Sequence, residues 1–235
     1  NLMELNATKD KFFSIISHDL KNPFSSLLSI SELMVDSFDD TEKEDHKEGF
    51  KKINQSVKHL LDLLENLLTW SRSQRGRIKY DPVRFNLSAL IQENINLHKL
   101  LAEKKGIMLL SLEHNEVFAY GDRDMINSVI RNLVTNAVKF TDKDKKVEIK
   151  VETNDKKIEV SIVDEGIGIP QENMGKLFRI DEKFKSTGTA GEKGTGLGLI
   201  ICREFVEKNG GEITVESKPG EGTTFSFTVP MANGA

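Results

Sequence analysis

Residues able to do chemistry gather at two places in this 235-residue chain. The first is Ser17-His18-Asp19-Leu20-Lys21-Asn22-Pro23. An imidazole nitrogen that attacks a phosphoryl group must be neutral, and an adjacent carboxylate can orient the ring or take its other proton, a role that Asp19 fits. Asn22 follows His18 at i+4, so on a helix the two side chains share one face. Pro23 lacks an N–H and its ring opposes the carbonyl of Asp19, which predicts a bend just past the histidine that widens access to that face. His46, His59, His98 and His114 have no such neighbours; they are assigned to surface or packing roles, and none has metal-ligand spacing.

The second place is glycine-rich: eight of the 17 glycines lie between Gly166 and Gly198. Asp164-Glu165-Gly166-Ile167-Gly168-Ile169-Pro170 follows directly on a strand pattern, putting a carboxylate at a strand end, where it can accept from an exocyclic amine. Gly191-Glu192-Lys193-Gly194-Thr195-Gly196-Leu197-Gly198-Leu199 leads into a helix, whose first amides suit phosphate oxygens. The polar segment from Arg179 to Lys193 between them reads as a mobile lid. Upstream, Asn132, Asn136 and Lys139 are spaced four and three apart, so they share one helical face opposite Val129, Leu133, Ala137 and Phe140. Amide oxygens for a cation and an ammonium for phosphate are what a magnesium nucleotide requires.

Two kinds of scaffold must position these groups. Phe50, Ile53, Val57, Leu60, Leu64 and Leu67 alternate in steps of three and four, a heptad seam, and Phe13, Ile16, Leu20, Leu27, Ile30 and Met34 repeat it in the first helix, with Pro23 at one more seam position. In that register His18 falls opposite the seam. A polar, acidic turn from Asp36 to Asp45 joins the helices, and Thr41 is placed to cap the second. Leu28, Leu61 and Leu68 lie beside the seam, so two hairpins are expected to pair as a four-helix bundle. The heptads stop near Ser73-Gln74-Arg75-Gly76-Arg77, which puts the boundary between residues 1–75 and 76–235. Beyond it, helices are expected over Leu87 to Lys105, Arg123 to Phe140 and Gly198 to Asn209. Strands are expected over Val147 to Val151, Ile158 to Ile162, Glu212 to Ser217 and Thr223 to Val229. The fold class is therefore multidomain: an N-terminal all-α helical hairpin, then an α+β two-layer sandwich.

Charged residues make up 30% of the chain and hydrophobic ones 37%, enough apolar mass for a real core. The formal net charge of −4 gives no footprint for nucleic acid or an anionic membrane. One cysteine, Cys202, excludes an internal disulfide, points to a reducing compartment and is assigned to core packing. No apolar run approaches the roughly 20 residues of a membrane span. The chain opens on Asn1-Leu2-Met3 inside a helical pattern, as expected of a piece of a longer protein.

Together, His18 in Ser-His-Asp-Leu-Lys-Asn-Pro, Asn132 to Lys139 in Asn-Leu-Val-Thr-Asn-Ala-Val-Lys, Asp164-Glu-Gly-Ile-Gly-Ile-Pro and Gly194-Thr-Gly-Leu-Gly-Leu resemble the histidine, asparagine and two glycine boxes of sensor histidine kinases. The resemblance runs from about residue 5 to 230. It implies a dimerisation and histidine-phosphotransfer hairpin followed by the ATP-binding sandwich shared with DNA gyrase and the MutL repair proteins. It also implies ATP and Mg²⁺ as cofactors, a homodimer, a response-regulator receiver domain as partner, and the cytosolic portion of a larger sensor. By the same likeness His18 is phosphorylated with Asp19 beside it, and Asn136 holds Mg²⁺ with Asn132 beside the metal. Lys139 meets phosphate and Asp164 reads the adenine amine. Phe140, Gly166, Gly168, Ile169, Gly194, Thr195, Gly196, Leu197 and Gly198 line the nucleotide. Asn22 matches the family residue that positions water for dephosphorylating the partner. Phe178 and Phe184 resemble the phenylalanine box, more widely spaced here. A competing reading is an ATP-hydrolysing clamp. In the hydrolytic relatives the position of Asn132 resembles a glutamate base, and asparagine cannot deprotonate water.

Overall fold

The computed structural model describes residues 20–36, 43–74, 79–111, 115–154, 156–179, 187–192, 194 and 196–232. Phe13, Ile16, His18, Asp19, Thr41, Phe184, Lys193 and Thr195 lie outside the described residues, and so does the side chain of Trp70. The chain divides into two compact units, Asn1–Arg75 and Gly76–Ala235.

The first unit holds α1 (residues 20–36) and α2 (Lys43–Gln74). Shielding in α1 recurs at Leu20, Pro23, Leu27, Ile30 and Met34, the expected seam, and the helix runs on through Pro23. In α2 the phase differs from the expectation. Ile53, Leu60 and Leu67 of the expected seam are shielded, together with Gly49, Ser56 and Leu63 and with His46, Asn66, Thr69 and Ser71, while Phe50, Val57 and Leu64 are 62%, 41% and 44% exposed. Heptad spacing reports a period, but two overlapping apolar stripes leave the phase open. Contact with α1 selects the stripe containing Gly49, where an added Cβ would stand 2.7 Å from Met34 Sδ. The larger apolar side chains turn outward with Phe24, Leu28, Leu61 and Leu68. Lys43 to Asp45, expected in the joining turn, belong to α2.

The second unit is the α+β two-layer sandwich. Its main sheet runs in the order β2 (Met108–Ser111), β4 (Lys146–Thr153), β5 (Lys157–Asp164), β7 (Gly222–Pro230), β6 (Ile213–Lys218), antiparallel except where β2 lies parallel to β4. Along β4, β5 and β7 alternate residues are buried on one face, among them Val147, Ile149, Ile158, Val160, Ile162, Phe225, Phe227 and Val229. Helices α3 (Leu87–Lys105), α4 (Arg123–Phe140) and α6 (Gly198–Lys208) cover that face with Leu90, Ile91, Ile126, Ile130, Leu133 and Val206. A small ribbon of β1 (Val83–Asn86) and β3 (Phe118–Gly121), and the one-turn α5 (Gln171–Met174), complete the unit. The helix boundaries follow from caps legible in the chain. Asn86 and Asp122 accept from the amides of Ala89 and Met125 at the starts of α3 and α4, and left-handed Gly106 ends α3. The ribbon, β2 and α5 escaped the sequence reading because four-residue segments carry too few positions to display a period.

Candidate active site

Three chain segments meet at the C-terminal end of α4. The loop after β5 docks there first: Ile167 N donates to Phe140 O at 3.1 Å, and a Cβ on Gly166 would collide with that same carbonyl. On its other side the loop rests on the β6–β7 turn, with Gly220 N donating to Ile167 O at 2.8 Å and Ile169 N to Ser217 Oγ at 2.8 Å. Gly168 has φ +67° and a Cβ there would meet the Lys218 carbonyl, so its glycine is required by the packing of the loop.

Asp164 ends β5 and is 6% exposed. Its Oδ1 accepts from Gly166 N at 2.8 Å and Thr223 N at 3.2 Å. Among the described residues no donor reaches Oδ2. Burial pushes this carboxyl up to about 6, against the pull of those two amides and of Lys145.

The second glycine segment packs on the polar face of α4. Asn132 Nδ2 donates to Ser128 O at 3.0 Å, which turns its Oδ1 away from the helix, and a Cβ on Gly198 would lie 2.8 Å from that oxygen. A Cβ on Gly194 would lie 2.9 Å from Lys139 Nζ. Lys139 Nζ stands 4.7 Å from the centre of the Phe140 ring. Asn136 is half-buried on the same helix. Glycine 196 has φ +74°, and α6 opens at Gly198 with no side-chain cap on its first amides.

Residues 121–233 match the family described as histidine kinase-, DNA gyrase B- and HSP90-like ATPase, and residues 8–76 match the His Kinase A (phospho-acceptor) domain. The chain is 33% identical to the catalytic domain of histidine kinase ThkA, covering 96% of that chain and 64% of this one with a TM-score of 0.56. The chain belongs to the histidine kinases. It is 30% identical over 230 residues to histidine protein kinase DivJ of Caulobacter vibrioides and 32% over 232 residues to the circadian input-output histidine kinase CikA of Synechococcus elongatus. Those alignments cover 97% and 96% of this chain, which spans 38% and 30% of the two relatives. A structure of ThkA in complex with response regulator protein TrrA is similar at 25% identity, with a TM-score of 0.76, 98% of this chain and 64% of that chain covered.

In this histidine kinase the ATPase-like unit therefore gathers Asn132, Lys139, Phe140, Asp164, Gly166, Gly194 and Gly198 about the end of α4. Leu197 is buried at the α6 N-cap, and the backbone amide of Ile169 is committed to Ser217. Burial holds the Lys139 ammonium below its ordinary value; Glu192 opposes that shift and Lys105 adds to it. Asn22 is exposed on α1. The part of the expected lid that is described, residues 187–192, is tied down: Thr189 N donates to Lys139 O at 3.1 Å and Thr189 Oγ1 to Thr141 O at 2.9 Å. The sequence reading missed Thr223, which fixes Asp164 from 59 residues away, and Lys105, which belongs to no motif and pairs with Glu192 of the second glycine segment. Of the other histidines, His98 is buried, with Nδ1 2.8 Å from Asn94 O and Nε2 2.9 Å from Thr135 Oγ1, a packing role. Cys202 is buried in the core as expected, and burial pushes its thiol up. No helix among the described residues is long and apolar enough to cross a membrane.

Proposed function

We propose that the chain is the catalytic core of a sensor kinase that uses ATP to phosphorylate its own His18 and passes the phosphoryl group to an aspartate of a response-regulator receiver domain. The observation that carries this reading is the docking of two glycine segments on α4, one beside Asp164 at Phe140 O and one against Asn132 Oδ1 and Lys139 Nζ, in a chain whose other end matches a phospho-acceptor domain. A buried carboxylate with an uncommitted oxygen suits the adenine amine. The outward amide oxygen of Asn132, with Asn136 one turn on, suits Mg²⁺, which when bound neutralises phosphate charge. Lys139 and the first amides of α6 suit the phosphates. A neutral nitrogen of His18 attacks the γ-phosphorus, and a nitrogen–phosphorus bond forms as the bond to the β-phosphate oxygen breaks and ADP leaves. Asp19 orients the ring and takes the proton of the other nitrogen. A carboxylate oxygen of the receiver then accepts the phosphoryl group and the imidazole is restored. An amide at Asn132, in place of a carboxylate base, supports transfer over hydrolysis.

Residues 1–75 serve dimerisation and phosphotransfer, and residues 76–235 bind ATP. The outer apolar stripe of Phe24, Leu28, Phe50, Leu61 and Leu68 supports a homodimer built as a four-helix bundle. Asn22, exposed one turn after His18, serves a phosphatase activity toward the regulator. The setting is cytoplasmic, as the cytosolic portion of a larger sensor. Incubation of wild type and His18→Gln with γ-labelled ATP and Mg²⁺ tests the reading. Acid-labile label on wild type alone is the expected result; free phosphate with no labelled protein would replace it with the ATPase clamp.

A further inference from the structure

Lys105 ends α3, outside every motif, and its side chain is 14% exposed. Its ammonium donates to Val138 O at 2.9 Å and Lys139 O at 2.7 Å and pairs with Glu192 Oε1 at 3.0 Å. An ammonium has three N–H donors, and three acceptors surround this one. The two carbonyls belong to the last turn of α4, where no helical N–H reaches them and the dipole favours a cation. Lys139 O also accepts from Thr189 N, and Glu192 closes the turn of residues 188–192 on itself: Oε2 accepts from Ala190 N at 2.9 Å and its carbonyl from Gly188 N at 2.8 Å. Burial would raise the Glu192 carboxyl, but the backbone amides and Lys105 outweigh it and hold the group below its ordinary value. Two residues on, Gly194 abuts Lys139 Nζ.

We propose that Lys105 is a positioning residue of the nucleotide site: it clamps the turn carrying Glu192 onto the end of α4, and so sets the spacing between Lys139 and the glycine segment at the phosphate end. The inference rests on the nucleotide-site reading above. With all three donors committed, Lys105 acts through Lys139 and Glu192 rather than by touching ligand. Neutralising Glu192 also keeps a bare carboxylate from facing the phosphates. The adenine end, held by Asp164, Thr223 and the β6–β7 turn, does not share these bonds.

That asymmetry gives the test, equilibrium binding of Mg-ATP and of adenosine to the whole chain by calorimetry. Lys105→Met weakens Mg-ATP about tenfold, the size of one charge-assisted hydrogen bond, and leaves adenosine within about twofold. Lys105→Arg recovers most of the loss. Glu192→Gln, at a carboxylate 39% exposed and so harmless to folding, weakens Mg-ATP in the same direction. Combined with Lys105→Met it adds nothing, because the two residues act as one unit. Equal losses for both ligands, no loss, additive losses, or tighter Mg-ATP binding by Glu192→Gln would each overturn the proposal. If Lys105→Met does not fold, Glu192→Gln with the two ligands decides it alone. A wild type that binds neither ligand removes the nucleotide-site reading and this inference with it; binding by wild type with variants that do not discriminate removes only the inference.

Discussion

Asp164→Asn should make the protein more stable and less able to bind nucleotide. The folded carboxyl titrates at about 6 against an ordinary 3.8 because burial penalises its charge. Below 3.8 the group holds its proton in both states. Between 3.8 and about 6 the unfolded chain releases the proton while the folded chain keeps it, so wild-type stability declines as pH rises through that window and is level above it. The displacement is 6 − 3.8 = 2.2; at about 1.4 kcal/mol per unit the penalty at neutral pH is up to about 3 kcal/mol. Asparagine is isosteric and uncharged, and its oxygen can still accept from Gly166 and Thr223. Its amide nitrogen then faces the ligand where an acceptor is needed. Urea unfolding of the ATPase-like unit without ligand, from pH 4 to 8, should show the variant gaining on wild type up to pH 6 and holding its lead beyond. With Mg-ATP at about 100 times its Kd, wild type should recover about 2.7 kcal/mol and the variant almost none. A variant less stable than wild type at pH 7.5, or a difference that does not change with pH, would refute the assignment of burial as the dominant cause.

For the same reason, wild-type affinity for ATP should fall as pH drops through about 6, where Asp164 takes up a proton and loses its acceptor, and calorimetric titrations from pH 5 to 8 would detect it. Gly168→Ala should cost on the order of 1–3 kcal/mol in urea unfolding, since φ is +67° and the Lys218 carbonyl occupies the Cβ position. Leu63→Ala, at a fully buried position of α2, should destabilise the helical hairpin by about 2–5 kcal/mol, seen as an earlier helical transition in circular dichroism. Asn22→Ala should remove dephosphorylation of the regulator while sparing labelling of His18; equal loss of both would sink that separation.

What the chain alone determined was local. Caps and apolar periods set α3 and α4 at the residues observed, because Asn86, Asp122 and Gly106 act on their own neighbours. Alternation located β4, β5, β6 and β7 within one or two residues of their ends. The residue types able to meet a nucleotide were equally legible, since two glycine loops and the polar face of one helix are visible as spacing. Tertiary structure decided the rest. Only the packing of α1 on α2 chose between two apolar stripes with the same period, turning Leu63 inward and Phe50 outward. Only β7, brought beside β5, supplies the Thr223 amide that commits one oxygen of Asp164 and leaves the other open. Lys105 meets Val138, Lys139 and Glu192 because the end of α3 arrives beside the end of α4, and a lysine in a run of charged residues carries no sign of that in its neighbours. Spacing reports what shares a face; which faces meet depends on the free energy of the whole fold.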